Sequence, residues 1–410
     1  MCKFHGTRFI VTLFTFFFLA SAVTGRAVSP DSNRPFRVGI LASITGSWST
    51  LGQNTVAALQ LAAEQLEAQS PSQGGRFKIH LFVRDTKLDP TLALEAIKDL
   101  DKRGVTVIIG PQSSAELAII KPYADQHNIL LISQGSTASA LAIAGDNVFR
   151  LCPNDKREAA AVAALMWHDG IRTIVPLWRN DLGNNGLHDS VQAAFEGLGG
   201  TVANGFRYDT STTDFSAATA SVSSQVAAAK LGSDPASVAI YLAAFDEVVG
   251  VFQSAHTDQT LSNTSWYGSD GVALSQVLLD DPTAAAFAAA ADYPNPIFGL
   301  DDALQSTWQP VSDAIEARTG IKPDAFALST YDALFIINRA LENSRRVEDF
   351  DDFKSAFVQA ANAYTGVTGS TALDAAGDRV SADFDFWAVR LVNGEYAWTR
   401  VARYKDGTLF

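Results

Sequence analysis

A chain of 410 residues exceeds what one ordinary core organises, so two or three domains are expected. Hydrophobic content of 47% with 18% charged residues describes a packed globular protein and excludes the disordered and fibrous classes. The formal net charge of −13 disfavours a nucleic-acid partner, which needs clustered Lys and Arg to neutralise phosphates.

The chain begins with Lys3, His5 and Arg8, an apolar run over residues 9–20, and Ala20-Ser21-Ala22. A basic start, an apolar stretch and a small-x-small site have the order of a secretory signal. Residues 1–22 are therefore expected to be a signal peptide, and the mature protein to be periplasmic or extracellular. The apolar run is shorter than a bilayer span, and no other segment approaches that length without charges. Cys2 falls in this leader and leaves Cys152 alone, which excludes a disulfide framework and reads as a core residue.

From residue 36, strand-like and helix-like runs alternate. Strands are predicted at 36–42, 77–83, 105–109 and 129–132, with helices at 56–66, 91–100 and 115–123 between them. This alternation dictates α/β layers with parallel strands and right-handed crossovers. One doubly wound sheet is complete by about Arg150. The rhythm then restarts with helix 159–167, strand 173–177, helix 187–198, strand 201–206, helix 215–229 and strand 238–242, which implies a second lobe of the same architecture. A helix at 248–252, a short strand at 265–268 and a helix at 284–290 follow. Helices 303–317, 327–341 and 350–361 lead to a hairpin, 384–392 with 396–403, turning at Asn393-Gly394.

Familiar catalytic devices are missing. No strand is followed by G-x-G-x-x-G, and the P-loop, H-E-x-x-H and G-x-S-x-G patterns are absent. His80, His127, His168, His188 and His256 are scattered, with no pair at ligand spacing. No metal, cofactor or enzymatic activity is expected.

Binding chemistry gathers at two neighbouring strand ends. Gly110-Pro111-Gln112-Ser113-Ser114 follows one strand and opens a helix, where orphan N–H groups, the helix dipole and two hydroxyls favour an anion. Ser133-Gln134-Gly135-Ser136-Thr137 follows the next strand. In open α/β sheets ligands sit outside the carboxyl ends of strands, so both loops are expected to face one cleft. For either loop alone, helix capping by Ser114 or Thr137 explains the hydroxyls equally well. Ser269-Asp270-Gly271 ends a strand of the second lobe and offers a carboxylate, with an Asx-turn as its plain alternative. A donor-rich wall facing an acid suits a zwitterion.

These motifs occur in order with residues 36–46 and Gly52, Asp85 with Asp89-Pro90, and Phe149-Arg150. Gly186-Leu187, Thr213-Asp214-Phe215, Tyr331-Asp332-Ala333 and Asp378-Arg379 to Asp385 complete the series. Together they resemble the type I periplasmic binding proteins of the leucine/isoleucine/valine-binding family, whose fold also forms the ligand-binding region of amino-acid receptors. The resemblance spans about residues 36–403. It implies two Rossmann-like doubly wound lobes joined by a three-crossing hinge, with lobe 1 at 36–150 and 283–369 and lobe 2 at 151–282 and 370–410.

The resemblance further implies that Ser114 and Thr137, with Ser136 beside them, hold a ligand α-carboxylate. Gly135 would offer its carbonyl to the α-ammonium, and Asp270 would pair with it. Leu51, Leu182 and Phe245 stand where the family often carries aromatic residues, so the side-chain end of the pocket is expected to be more apolar; Trp48 and Trp178 are near enough in sequence to contribute rings, with core packing as the plain alternative for each. The implied function is capture of an amino acid or close analogue by hinge closure. A membrane permease complex would take the ligand in ABC-type uptake; alternatively, a receptor would sense it.

Overall fold

A computed structural model of the chain describes residues 1, 35–69, 78–344, 349–381 and 383–410. Apart from Met1, the expected signal peptide lies outside them. The first lobe opens with β1 (Phe36–Ala42), α1 (Ser49–Gln69), β2 (Ile79–Asp85), α2 (Pro90–Lys102), β3 (Val107–Ile109), α3 (Ser114–Gln126), β4 (Leu130–Ser133) and β5 (Val148–Arg150). These strands form one parallel sheet in the order β2-β1-β3-β4-β5. Side chains of a strand alternate between faces, so Val38, Ile40, Val107 and Ile109 enter one core while Leu41, Ile108 and Leu131 enter another with α2 and α3. A strand buried on both faces has no polar register, which is why Val107–Ile109 is three apolar residues in succession.

The second lobe carries α4 (Asp155–His168), β6 (Thr173–Arg179), α5 (Leu182–Gly197), β7 (Thr201–Val202), β8 (Phe206–Tyr208), α6 (Ser216–Gly232), β9 (Val238–Ala243), α7 (Val248–Ala255), α8 (Gln259–Ser262), β10 (Ser265–Tyr267), α9 (Gln276–Asp280), α10 (Pro282–Ala290) and β11 (Asn295–Phe298). Its parallel sheet runs β10-β9-β6-β7, with β8 on the other end of β6. The strand expected at 201–206 is thus two short pieces that pair with opposite ends of β6. Residues Ile174, Ala239 and Tyr241 face α4 and α5, while Val175, Ile240 and Leu242 face α6, α7 and α10.

The chain then returns to the first lobe through α11 (Gln305–Thr319), α12 (Ala325–Asn343) and α13 (Phe350–Ala363). Asp324 caps α12 by accepting from Ala327 N at 2.7 Å. The small strands β12 (Thr365–Gly366) and β13 (Gly369–Ser370) follow, then β14 (Phe384–Val392), β15 (Glu395–Lys405) and β16 (Thr408–Leu409). The expected hairpin turn is present, with Asn393 and Gly394 both at positive φ as a two-residue turn requires.

The lobe boundaries differ from those expected. Residues 283–298 stay with the second lobe: Ala284, Ala285 and Phe287 pack in its core, and β11 pairs antiparallel with β14. Residues 370–379 stay with the first, because Leu373 enters its core and Asp378 bridges to Arg150. The crossings therefore fall just after Arg150, just after Phe298 and just after Arg379. Helical composition could not reveal which core α10 covers, since an alanine-rich helix fits either.

Candidate functional site

The carboxyl ends of β1, β3 and β4 face those of β6, β9 and β10 across the boundary between lobes. On the first-lobe side Ser113 is the cap of α3, not Ser114. Its hydroxyl accepts from Glu116 N at 3.3 Å, and Glu116 Oε2 accepts from Ser113 N at 3.0 Å, a reciprocal capping box. Ser114 is thereby released from capping and placed first in the helix, beside the positive end of its dipole. The Ser114 hydroxyl lies 3.0 Å from Ser136 Oγ and accepts from Ala138 N at 3.1 Å, which ties the two loops together.

Arg150 holds the second loop from behind. It is buried, donates to Asp378 Oδ1 at 2.5 Å, and also donates to the carbonyls of Ser136 at 3.2 Å and Ala138 at 2.7 Å. A buried guanidinium needs all these acceptors, and satisfying it fixes the loop. Gly135 must be glycine for a steric reason: a Cβ there would lie 2.9 Å from the Trp48 ring and from the Gln112 carbonyl oxygen.

Trp48 takes the left-handed backbone region at φ 59°, uncommon for a bulky residue and a marker of local strain. Gln112 anchors it, donating from Nε2 to Trp48 O at 3.2 Å. Its indole lies 4.7 Å from Phe245 of the opposite lobe and meets Phe326 edge-on at 6.2 Å. The Trp48 backbone N–H donates to Asp246 Oδ2 at 2.6 Å, and Gln276 N donates to Thr50 Oγ1 at 3.1 Å. Both bonds cross from lobe to lobe, so the molecule is closed.

The closed lobes enclose a cavity of about 20 Å³, room for about one water molecule. Trp48, Ser113, Ser114, Gly135, Thr137, Asp181, Gly183, Asn184, Leu187, Phe245 and Asp270 line it. Six of the sequence-selected residues meet there: Trp48, Ser114, Gly135, Thr137, Phe245 and Asp270. Ser136 sits behind them, fully buried. Leu51 packs beneath Gly135 rather than facing the cavity, and Leu182 is 37% exposed at the start of α5. Trp178 points elsewhere, stacked on His188 at 3.9 Å with its N–H on Asn185 Oδ1. Gly183, Asn184 and Leu187 close the cavity on the α5 side, with Asp181 capping α5 through Asn184 N at 2.8 Å.

Asp270 belongs to a buried acid cluster. Its N–H donates to Glu158 Oε1 at 3.2 Å, and the two carboxyls face one another. Asp155, also buried, faces the Thr137 hydroxyl. Burial raises the Asp270 pKa to about 7, with repulsion from Asp155 adding to it, raises Asp155 to about 6 and pushes Glu158 well above the carboxylate range. Asp270 Oδ2 has no hydrogen-bond partner among the described residues. A buried carboxylate oxygen without a donor is costly, and a cation placed against it would remove that cost. Sequence reading found Asp270 but not its acid partners, because α4 lies more than a hundred residues away along the chain.

Fold and site together define a two-lobed α/β clamp closing on a small polar cavity at its strand ends. The chain belongs to the receptor family ligand binding region, whose model matches residues 54–391. It is 24% identical over 314 residues to an uncharacterized protein of Methanocaldococcus jannaschii, covering 75% of this chain and 73% of that one. It is 22% identical over 376 residues to a Leu/Ile/Val-binding protein of Rhizobium johnstonii, covering 90% and 95%. Among solved structures it resembles a leucine binding protein from Thermotoga maritima, with a TM-score of 0.75 and 21% identity over 90% of this chain and 99% of that one. The architecture is that of the type I periplasmic binding proteins. The family model describes a ligand-binding region, and the Rhizobium and Thermotoga proteins are named for binding branched-chain amino acids. No helix among the described residues is long and apolar enough to cross a membrane.

Proposed function

We propose that this chain is an extracytoplasmic solute-binding protein that captures an amino acid or amino-acid-like ligand by hinge closure, for ABC-type uptake. The observation that carries the reading is the opposition of two unlike walls across one cavity: the start of α3 with Ser114 and Thr137 on one lobe, and Asp270 on the other. The first wall presents N–H and hydroxyl donors to an α-carboxylate. The second presents a carboxylate to an α-ammonium, and pairing both ends rejects molecules that lack either charge. First-lobe contacts form in the open state, and closure brings Asp270 onto the ligand in a form wider than the one described, whose cavity of about 20 Å³ is smaller than an amino acid. The Leu/Ile/Val-binding and leucine-binding relatives favour an apolar side chain on that ligand. Export through the leader at residues 1–22 and delivery to a membrane permease complex complete the reading.

Thermal shift over a panel of amino acids and plain carboxylates tests it. A ligand at a hundred times its dissociation constant stabilises the fold by about 2.7 kcal/mol. Asp270→Ala is expected to weaken amino-acid binding far more than binding of a carboxylate of the same shape. Equal losses for the two ligands would rule out the ammonium role.

A further inference from the structure

A larger cavity, about 470 Å³, lies between the lobes on the hinge side and shares no lining residue with the first. An aromatic partition separates the two: Trp48 lines one, Phe298 lines the other, and Phe326 stands between them, 6.2 Å from Trp48 and 5.5 Å from Phe298. The volume falls within the range of small-molecule sites. Its walls come from α11 and the start of α12 on the first lobe and from β11, β14 and β15 on the second, so an occupant touches both.

The lining has a definite chemistry. Leu274, Ile297, Phe298 and Ala325 form a buried apolar floor, with the partly buried rings of Trp308 and Trp387 above it. Every carboxylate on the wall is already engaged. Asp302 is held by Arg400 at 2.9 Å and Arg403 at 2.9 Å, Asp385 by Arg403 at 2.6 Å, and Asp324 caps α12. Lys322 is different. It stands at the mouth with its ammonium 4.6 Å from the centroid of the Trp387 ring, and no carboxylate among the described residues lies within ion-pair distance of it. A cation over an aromatic face beside a dry floor is placed to receive an anion whose body is flat and apolar.

We infer that this hinge-side cavity is a second ligand site, taking a planar aromatic molecule that bears a carboxylate or sulfonate. The rings of Trp308 and Trp387 and the floor take the aromatic body, and Lys322 takes the acid group. Calorimetric titration of the full chain with 2-naphthoate tests the assignment. One molecule is expected to bind per chain, about tenfold more weakly to Lys322→Met and more weakly still to Lys322→Glu. The neutral 2-naphthamide should bind less well than the acid. Lys322 is solvent-facing, so the ligand-free variants should melt as the parent does. Naphthoate binding that is equal in the parent and both Lys322 variants, or undetectable, would each overturn the assignment.

Discussion

Asp270 holds its proton at a pH where an ordinary aspartate has long lost it. Burial and the neighbouring Asp155 raise its pKa to about 7, and only its ionised form can pair with an ammonium. Affinity for an amino acid is therefore expected to be greatest above pH 7 and to fall as pH drops through that value, by up to about tenfold per unit. A plain carboxylate should show no such decline, and calorimetry at a series of pH values separates the two. Stability carries the opposite sign. The folded pKa lies above the unfolded one, so this group's contribution is fully present below pH 3.8 and is lost as pH rises through about 7. Asp270→Asn should flatten that slope. Single residues were also where sequence reading was least secure. Ser114 and Ser113 are adjacent and chemically alike, yet the capping box with Glu116 assigns them different tasks.

Among the elements, α1 sits against β1 with no space between. A Cβ on Gly52 would come within 1.9 Å of the Ser43 carbonyl oxygen and within 2.9 Å of Gln112 Oε1, so Gly52→Ala must push the start of α1 outward. The expected cost is about 1–3 kcal/mol, measured by denaturant unfolding, with ligand affinity falling too because Trp48 rides on the same segment. Strands and helices were legible because parallel strands buried on both faces are β-branched runs and the helices announce their starts with Asp89, Ser113 and Asp324. The wall that α5 gives the pocket was not. Leu182 and Leu187 both belong to α5, and helical rotation turns the first outward and the second into the cavity. Asp181 and Asn184 look locally like an ordinary cap, which they are, and only the opposing lobe makes them a wall.

At the scale of the whole molecule, the chain crosses between the lobes three times, and the last two crossings occur later in the chain than composition suggested. The reason is that β11 needs β14 as a partner, and Arg150 needs Asp378. Both are pairings between residues roughly ninety or more apart, invisible to local pattern. These crossings make lobe separation the motion available to the fold, and the bonds from Trp48 to Asp246 and from Gln276 to Thr50 are the contacts that separation breaks.

Trp48 gives that motion a colour. Closed, its indole is 4% exposed and boxed by Phe245 and Phe326; parted lobes would put the same ring in water. Its emission should therefore lie at short wavelength in the closed form and shift red on opening, so that ligand addition followed by stopped-flow fluorescence reads closure directly, without an attached dye. Trp48→Phe should abolish the ligand-dependent change while the other six tryptophans keep emitting. A signal that survives that substitution would place the optical reporter elsewhere in the chain.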